Sequence, residues 1–321
     1  MTLLERNVPT FAIIGAQKAA TTWLWDMLDQ HPGTSLPSEK EIHYFGSAEL
    51  FARGEDWYYS HFEGLDPDKV IGEASTSYFY DRVPYWHNKS DQIEFDESLP
   101  LIPELISQTF PAMKFIVVLR DPVHRAISAY LHWMKKGAIS PLLDLRKVAT
   151  DYPKMRILEY GLYARYLKVW MKYVRPERLR IILYEDQIKK NRDQTLADIY
   201  QYLDLDPTFK PEQPDKAVHK SWGWTRIVFN YYAGRISKTM GHSRAGRLLD
   251  RFDFLSGKAV KVEDIEFFRS VYLPEKEELT MLTGNPLSCW DYGEGMLQKL
   301  NKGCCLLYTS DDADDFAVVV V

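Results

Sequence analysis

Four short apolar runs, at residues 11–15, 69–74, 114–119 and 179–184, divide the first 185 positions of the chain. Each is continuous rather than alternating, as in parallel strands covered on both faces. Between and after them, apolar residues recur at helical spacing, predicting helices over 22–31, 103–110, 122–136, 162–174 and 195–203. Strands separated by helices imply parallel pairing, so the expected class is α/β, a doubly wound parallel sheet flanked by helices. Beyond Pro214 the pattern turns mainly helical, with candidates at 222–236, 244–254 and 263–283.

With 321 residues, 45% of them hydrophobic and nine tryptophans, the chain can bury a sizeable core. No linker or repeat interrupts it, so 1–292 is expected to be one domain. Residues 303–321 combine an acidic block with four valines before the end. That composition suits a non-native or disordered tail over 293–321, or else an acidic interaction tail. A net charge of −5 and a pI near 5.9 provide no general basic field, so no nucleic-acid partner is expected. No run approaches the ~18 apolar residues of a membrane span. The opening residues hold no long apolar core, and the three cysteines form no disulfide or metal framework. These features set the expectation of a cytoplasmic protein. Oligomeric state is not legible.

The chemistry concentrates after the apolar runs. Gly15-Ala16-Gln17-Lys18-Ala19-Ala20-Thr21-Thr22 reads as a small-residue loop with one lysine, leading into a helix. Backbone N–H groups, a cation and a helix N-terminus at one place suit a phosphate. An ordinary turn with Thr21 or Thr22 as helix N-cap has the same sequence signature. The loop is not a Walker A motif, because Lys18 does not stand immediately before a hydroxyl residue. After the third run comes Arg120-Asp121-Pro122, where Asp121 can cap a helix starting at Pro122. Arg120 falls at the carboxyl end of a strand, where open α/β sheets bind ligands, and Ser128 shares a helix face with His124 and Arg125. A guanidinium and a hydroxyl suit a second phosphate, although a structural turn followed by a solvated basic helix remains open.

Lys18-x-x-Thr21-Thr22 after one strand and Arg120-Asp121-Pro122-x-x-Arg125-x-x-Ser128 after another together resemble the paired motifs of sulfotransferases. Those enzymes use 3′-phosphoadenosine 5′-phosphosulfate (PAPS). Lys40-Glu41-Ile42-His43-Tyr44-Phe45 is closest to the carbohydrate branch, such as heparan sulfate sulfotransferases and their bacterial relatives. The resemblance extends through Gly72–Tyr78, Gly161-x-Tyr163 and Leu183–Asp186 to Trp290. It implies a P-loop NTPase-like fold and no catalytic metal. It also implies PAPS as donor, 3′,5′-ADP as product, and an acceptor hydroxyl on a glycan or small alcohol. In that frame Gln17, Lys18, Ala19, Ala20, Thr21 and Thr22 hold the 5′ phosphate, and Arg120 and Ser128 hold the 3′ phosphate. Lys18 neutralises charge on the bridging oxygen, and Lys220 lies in a loop over the nucleotide.

Glu41 matches the family's catalytic glutamate. An extended backbone places Glu41, His43 and Phe45 on one face, making His43 the second candidate base. Glu41 as a solvated charge and His43 as an orienting group stay open, as does Lys220 as a solvated lysine. The chain departs from the family at Glu73-Ala74-Ser75-Thr76, where carbohydrate members have a lysine at the position of Ala74. The aromatic stretch from Tyr78 to His87 suits stacking on a sugar or covering an irregular surface. Two other classes remain open: a small-molecule P-loop kinase, which needs ATP and Mg²⁺, and a nucleotide-binding module without a working base.

Overall fold

The computed structural model describes residues 7–86, 92–212, 224–233, 260–301, 306–309 and 317–320. Its contacts divide the chain into two compact units, the first comprising 1–120, 163–214 and 278–289. The first unit holds β1 (Phe11–Gly15), α1 (Thr21–Asp29), β2 (Thr34–Ser35), α2 (Ala48–Phe51) and α3 (Glu55–Ser60). It continues with β3 (Val70–Ala74), the short strands β4 (Pro84–Tyr85) and β5 (Glu94–Phe95), and α4 (Ile102–Thr109). β6 (Lys114–Leu119) ends immediately before the second unit, which opens on α5 (Pro122–Lys135) and α6 (Leu145–Asp151). The chain returns to the first unit for α7 (Tyr163–Tyr173), β7 (Leu179–Leu183) and α8 (Arg192–Tyr202).

The apolar runs become a five-stranded sheet of order β2-β3-β1-β6-β7, all of whose neighbours pair in parallel. Every residue of β1 is buried, and Phe115 to Leu119 of β6 are 0% exposed. Each such large apolar side chain contributes roughly 1.5–3 kcal/mol by leaving water. Only β2 lacked a signal, because two residues are too few to set a period. Helices flank the sheet. Trp170 of α7 meets Phe115 edge-to-face, with ring centroids 5.0 Å apart, and donates Nε1–H to the carbonyl of Phe79 at 2.9 Å. Tyr200 of α8 reaches the Met27 carbonyl of α1. Since β3, β1 and β6 are parallel neighbours, the segments leaving their carboxyl ends, 75–79, 16–20 and Arg120, start from one edge of the sheet.

The second unit is mainly helical where described, as expected beyond Pro214, with one strand pair near its end. It adds α9 (Trp224–Ala233), α10 (Val262–Tyr272) and most of 290–321. The single helix expected over 263–283 is two, α10 and α11 (Lys276–Thr283), because Pro274 forces a 3₁₀ turn at Leu273–Glu275. Asp121 caps α5 as anticipated, its Oδ1 accepting from the N–H groups of Val123 and His124. The alternative of a solvated basic face on α5 does not hold at Arg125, which is 0% exposed and donates to the carbonyl of Ile157. After α12 (Glu294–Asn301), β8 (Leu306–Thr309) and β9 (Ala317–Val320) pair antiparallel. The candidate helix at 244–254 lies outside the described residues.

Candidate active site at the carboxyl ends of β1 and β3

The loop after β1 is shaped by backbone rather than by side chains. Gly15 has φ 155°, and a Cβ there would stand 2.8 Å from Phe79 Cβ, so only glycine lets the loop leave the strand beside that ring. Lys18 and Ala20 both adopt left-handed φ, 67° and 63°. Ala20 is the N-cap of α1, and no side chain caps the helix. Thr21 opens the helix and does not cap it, so the alternative of an ordinary turn capped by Thr21 or Thr22 is not what the structure shows. A hydroxyl cap fails because the left-handed N-cap position is held by alanine, whose methyl has nothing to donate or accept. The result is a helix start, of nine-residue α1, at which the N-cap side chain makes no hydrogen bond to the N-terminal amides. In the loop before it Gln17 and Lys18 are half-buried, and Ala19 is buried. From the end of β6, Arg120 comes to the same loop, with a guanidinium nitrogen 3.4 Å from the Lys18 carbonyl and the group 5.1 Å above the Tyr184 ring.

Beside it, at the end of β3, Glu41 is set in a cradle. Residues 40–45 are not extended: Glu41 and His43 have left-handed φ of 68° and 57°, and Tyr44–Gly46 forms a 3₁₀ turn. Side-chain alternation therefore does not apply, yet the two side chains still meet, with His43 Nε2 3.3 Å from Glu41 Oε2. The bent loop is tied to 74–77 at several points. Glu41 N–H donates to the Ala74 carbonyl at 2.8 Å, and Glu41 Oε2 accepts from Thr76 N–H at 2.9 Å and its hydroxyl at 3.1 Å. His43 N–H donates to Ser75 Oγ at 3.0 Å, and His43 Nδ1 lies 2.8 Å from Ser77 Oγ. A Cβ on Gly46 would fall 2.0 Å from Ser77 Oγ, so glycine lets that hydroxyl reach the imidazole.

Lys40 completes the arrangement, its Nζ 2.7 Å from Glu41 Oε1. Burial raises the Glu41 carboxyl, but Lys40, His43 and the Thr76 hydrogen bond outweigh it and hold the group below its ordinary value. Glu41 is therefore ionised at neutral pH. The cradle joins the loop after β1 through Thr76, whose carbonyl lies 3.4 Å from the Cβ position of Gly15. Ser75 and Phe79 donate to the carbonyls of Ile13 and Ile14. Thus Gln17, Lys18, Ala19, Ala20, Thr21, Thr22, Arg120, Glu41 and His43 all belong to one unit and one edge of its sheet.

Ser128 is 2% exposed on α5 in the other unit, and Lys220 lies outside the described residues. The aromatic stretch after Tyr78 is largely core: Tyr78, Phe79 and Tyr80 are 0–1% exposed. Tyr85 and Trp86 keep partial exposure, and Trp86 Nε1 donates to the Gly46 carbonyl at 2.8 Å. Sequence reasoning missed Lys40, Ser75, Thr76 and Ser77 as partners of the candidate base. The signal was three successive hydroxyl residues directly after an apolar strand. Among the described residues one trio, Asp121, His124 and Asp291, gathers three possible metal donors. Both its carboxylates bind backbone N–H groups, Asp121 those of Val123, His124 and Tyr292, Asp291 those of Gly293 and Gly295.

The chain belongs to the sulfotransferase family, whose model matches residues 9–210, well over half its length. It is 36% identical over 141 residues to membrane-associated sulfotransferase kil1 of Dictyostelium discoideum, covering 42% of this chain and 26% of that protein. It is 26% identical over 187 residues to mouse (Mus musculus) heparan sulfate glucosamine 3-O-sulfotransferase 5, covering 56% and 49%. The chain thus spans a quarter to a half of the length of these curated relatives. A crystal structure of a sulfotransferase from Alicyclobacillus acidocaldarius superposes with a TM-score of 0.62 over 88% of this chain and 98% of that one. At 21% identity that likeness establishes the fold. Among the described residues, no helix is long and apolar enough to cross a membrane.

Proposed function

We propose that this chain transfers the sulfuryl group of PAPS to an acceptor hydroxyl on a glycan or small alcohol, with Glu41 as general base. The observation that carries this reading is the juxtaposition at one sheet edge of an uncapped helix start with Lys18 and a cradled, ionised carboxylate. The loop amides, with Gln17, Ala19, Ala20, Thr21 and Thr22, suit the 5′ phosphate. Lys18 meets the negative charge that grows on the phosphate oxygen as the oxygen–sulfur bond breaks. Arg120, beside that loop, and Ser128 are assigned to the 3′ phosphate on the family pattern, and Lys220 to the nucleotide loop.

The hydrogen bonds favour Glu41 over His43 as the base. An ionised carboxylate only accepts, so the His43 nitrogen facing it, Nε2, carries the hydrogen. His43 Nδ1 is in turn engaged with Ser77 Oγ, so both ring nitrogens are occupied within the cradle. Glu41 Oε2 is already engaged by Thr76 and His43, whereas Oε1 meets Lys40 and keeps an acceptor position. An acceptor hydroxyl donating to Oε1 would pass its proton there as its oxygen bonds sulfur, and 3′,5′-ADP would leave. Lys40 is the cation beside the base in a chain that has alanine at the family's lysine position, Ala74. The partly exposed Trp86, tethered to the base loop, suits a sugar ring on the acceptor side. The chain's few cysteines, with Cys289 unbridged, suit a cytoplasmic setting.

Calorimetry with 3′,5′-ADP, 5′-AMP and ATP with Mg²⁺ tests the donor assignment. The bisphosphate should bind without metal and more tightly than 5′-AMP. Equal affinities for those two would remove the 3′-phosphate site, and preference for ATP with Mg²⁺ would replace the reading with a kinase.

A further inference from the structure

Behind the base loop lies a carboxylate that no step above uses. Glu73, on β3, is 1% exposed. Its Oε1 accepts from the Tyr58 hydroxyl of α3, and its Oε2 from the hydroxyls of Tyr78 at 3.1 Å and Ser75 at 3.3 Å. Ser75 is the joint, because its Oγ also accepts the N–H of His43. A hydroxyl has one hydrogen and two lone pairs. With the hydrogen directed to Glu73, a lone pair is left for the His43 amide. The base loop also closes the pocket: the Tyr44 ring stacks on Tyr58 at 4.8 Å, and Phe45 meets Tyr78 edge-on at 5.6 Å.

We propose that Glu73 is a positioning residue which, through Ser75, fixes the His43 amide and so holds the Glu41–His43 pair in its left-handed loop. This rests on the reading of Glu41 as the base. Left-handed φ at a non-glycine residue is strained, so the loop needs such external ties. The ionised form of Glu73 is an acceptor only and accommodates all three hydroxyl donors. Once protonated it loses its charge and carries a hydrogen of its own, so it holds its hydroxyl donors less strongly. Ser75, with the longest bond, is the first to loosen.

Burial pushes Glu73 up to about 7; the Tyr58, Tyr78 and Ser75 hydroxyls pull it back and the charge of Glu41 adds to the rise. Glu41 in turn feels Lys40 and His43. The tie to His43 is therefore expected to weaken as pH falls through the neutral range.

Hydrogen exchange on the full chain, labelled with ¹⁵N-histidine, reads this without any acceptor. The eight histidines keep the spectrum assignable. The amide of His31, bonded to the Leu28 carbonyl, reports on the fold as a whole. At pH 8 the wild-type His43 amide should be protected, and Glu73→Gln should lower its protection tenfold or more with His31 unchanged. An amide has one acceptor oxygen and its own donors, so it imitates the protonated acid. Ser75→Ala, which leaves Glu73 and both tyrosines in place, should do the same and serves if Glu73→Gln does not fold. In the wild type, His43 protection relative to an unstructured peptide should fall as pH drops through about 7, and in Glu73→Gln it should not. Equal protection of His43 in all three proteins, or loss shared equally with His31, would overturn the proposal. An inert Glu41→Gln substitution would instead defeat the base assignment and leave these exchange results standing.

Discussion

The two loops that meet at the candidate site are both left-handed, and they are built by opposite means. Three of residues 16–20 are alanines, the loop's shape comes from Gly15, Lys18 and Ala20, and the N-cap residue of the helix it leads into makes no side-chain cap. Residues 40–46 mix polar with buried apolar side chains, and hydrogen bonds involving side chains tie Glu41 and His43 to 75–77. On the proposed reading the first loop offers amides at a helix start to a ligand, whereas the second spends most of its polar groups on itself and presents one carboxylate oxygen. The contrast fits a division of labour. An anion of fixed shape is best met by backbone dipoles that need no reorganisation. A proton acceptor needs a defined position and ionisation, which side chains supply.

If that division is right, changes in the two loops should separate chemistry from binding. The largest effect is expected at Glu41→Gln, which preserves shape but cannot take a proton at neutral pH. Sulfuryl transfer, followed as PAPS consumption across sugars, phenols, steroids and lipid alcohols, should drop by roughly 10²–10⁴. Affinity for 3′,5′-ADP should hardly change. An equally active variant would move the base to His43 and dissolve the contrast.

Lys18→Ala probes the other loop and should cost turnover about 10²–10³. The loss should exceed the loss of 3′,5′-ADP affinity, because only interactions that strengthen in the transition state raise the rate. Were the two losses equal, the first loop would be a binding device alone. The smallest effect is expected at Arg120→Ala, where calorimetry should show 3′,5′-ADP weakened about tenfold and 5′-AMP little affected. Equal weakening of both nucleotides would place Arg120 at the 5′ phosphate, beside the Lys18 carbonyl it already approaches.

The strands and their order of appearance were legible because parallel strands buried on both faces leave uninterrupted apolar runs. β1 and β6 begin and end where those runs do. The Asp121 cap was legible for a similar reason, since Asp-Pro at a helix start has a local mechanism. Local patterning failed at two places. Thr21 had the residue type of a cap but sits one position inside the helix, behind a left-handed Ala20. The stretch 40–45 had no period to contradict an extended reading, and its bends are imposed by hydrogen bonds to residues more than thirty positions away.

What the sequence by itself determined is therefore the set of groups and the strands that carry them: Lys18 after the first strand, Glu41 and His43 in a polar loop, Arg120 at the end of another strand. Those features depend on burial pattern and residue chemistry, which are properties of neighbours in the chain. Tertiary structure alone decided which groups act on one another. The pairing of β3 with β1 brings Thr76 beside Gly15, and the folding of 40–46 onto 74–77 gives Glu41 its Thr76 donors, His43 its Ser75 and Ser77 partners, and Glu73 its link to the loop. Ionisation follows from that geometry. Glu41 and Glu73 are the same residue type, yet Lys40 and His43 hold one low while burial lifts the other to about 7. Charges and dielectric act through space, and the chain order does not record them.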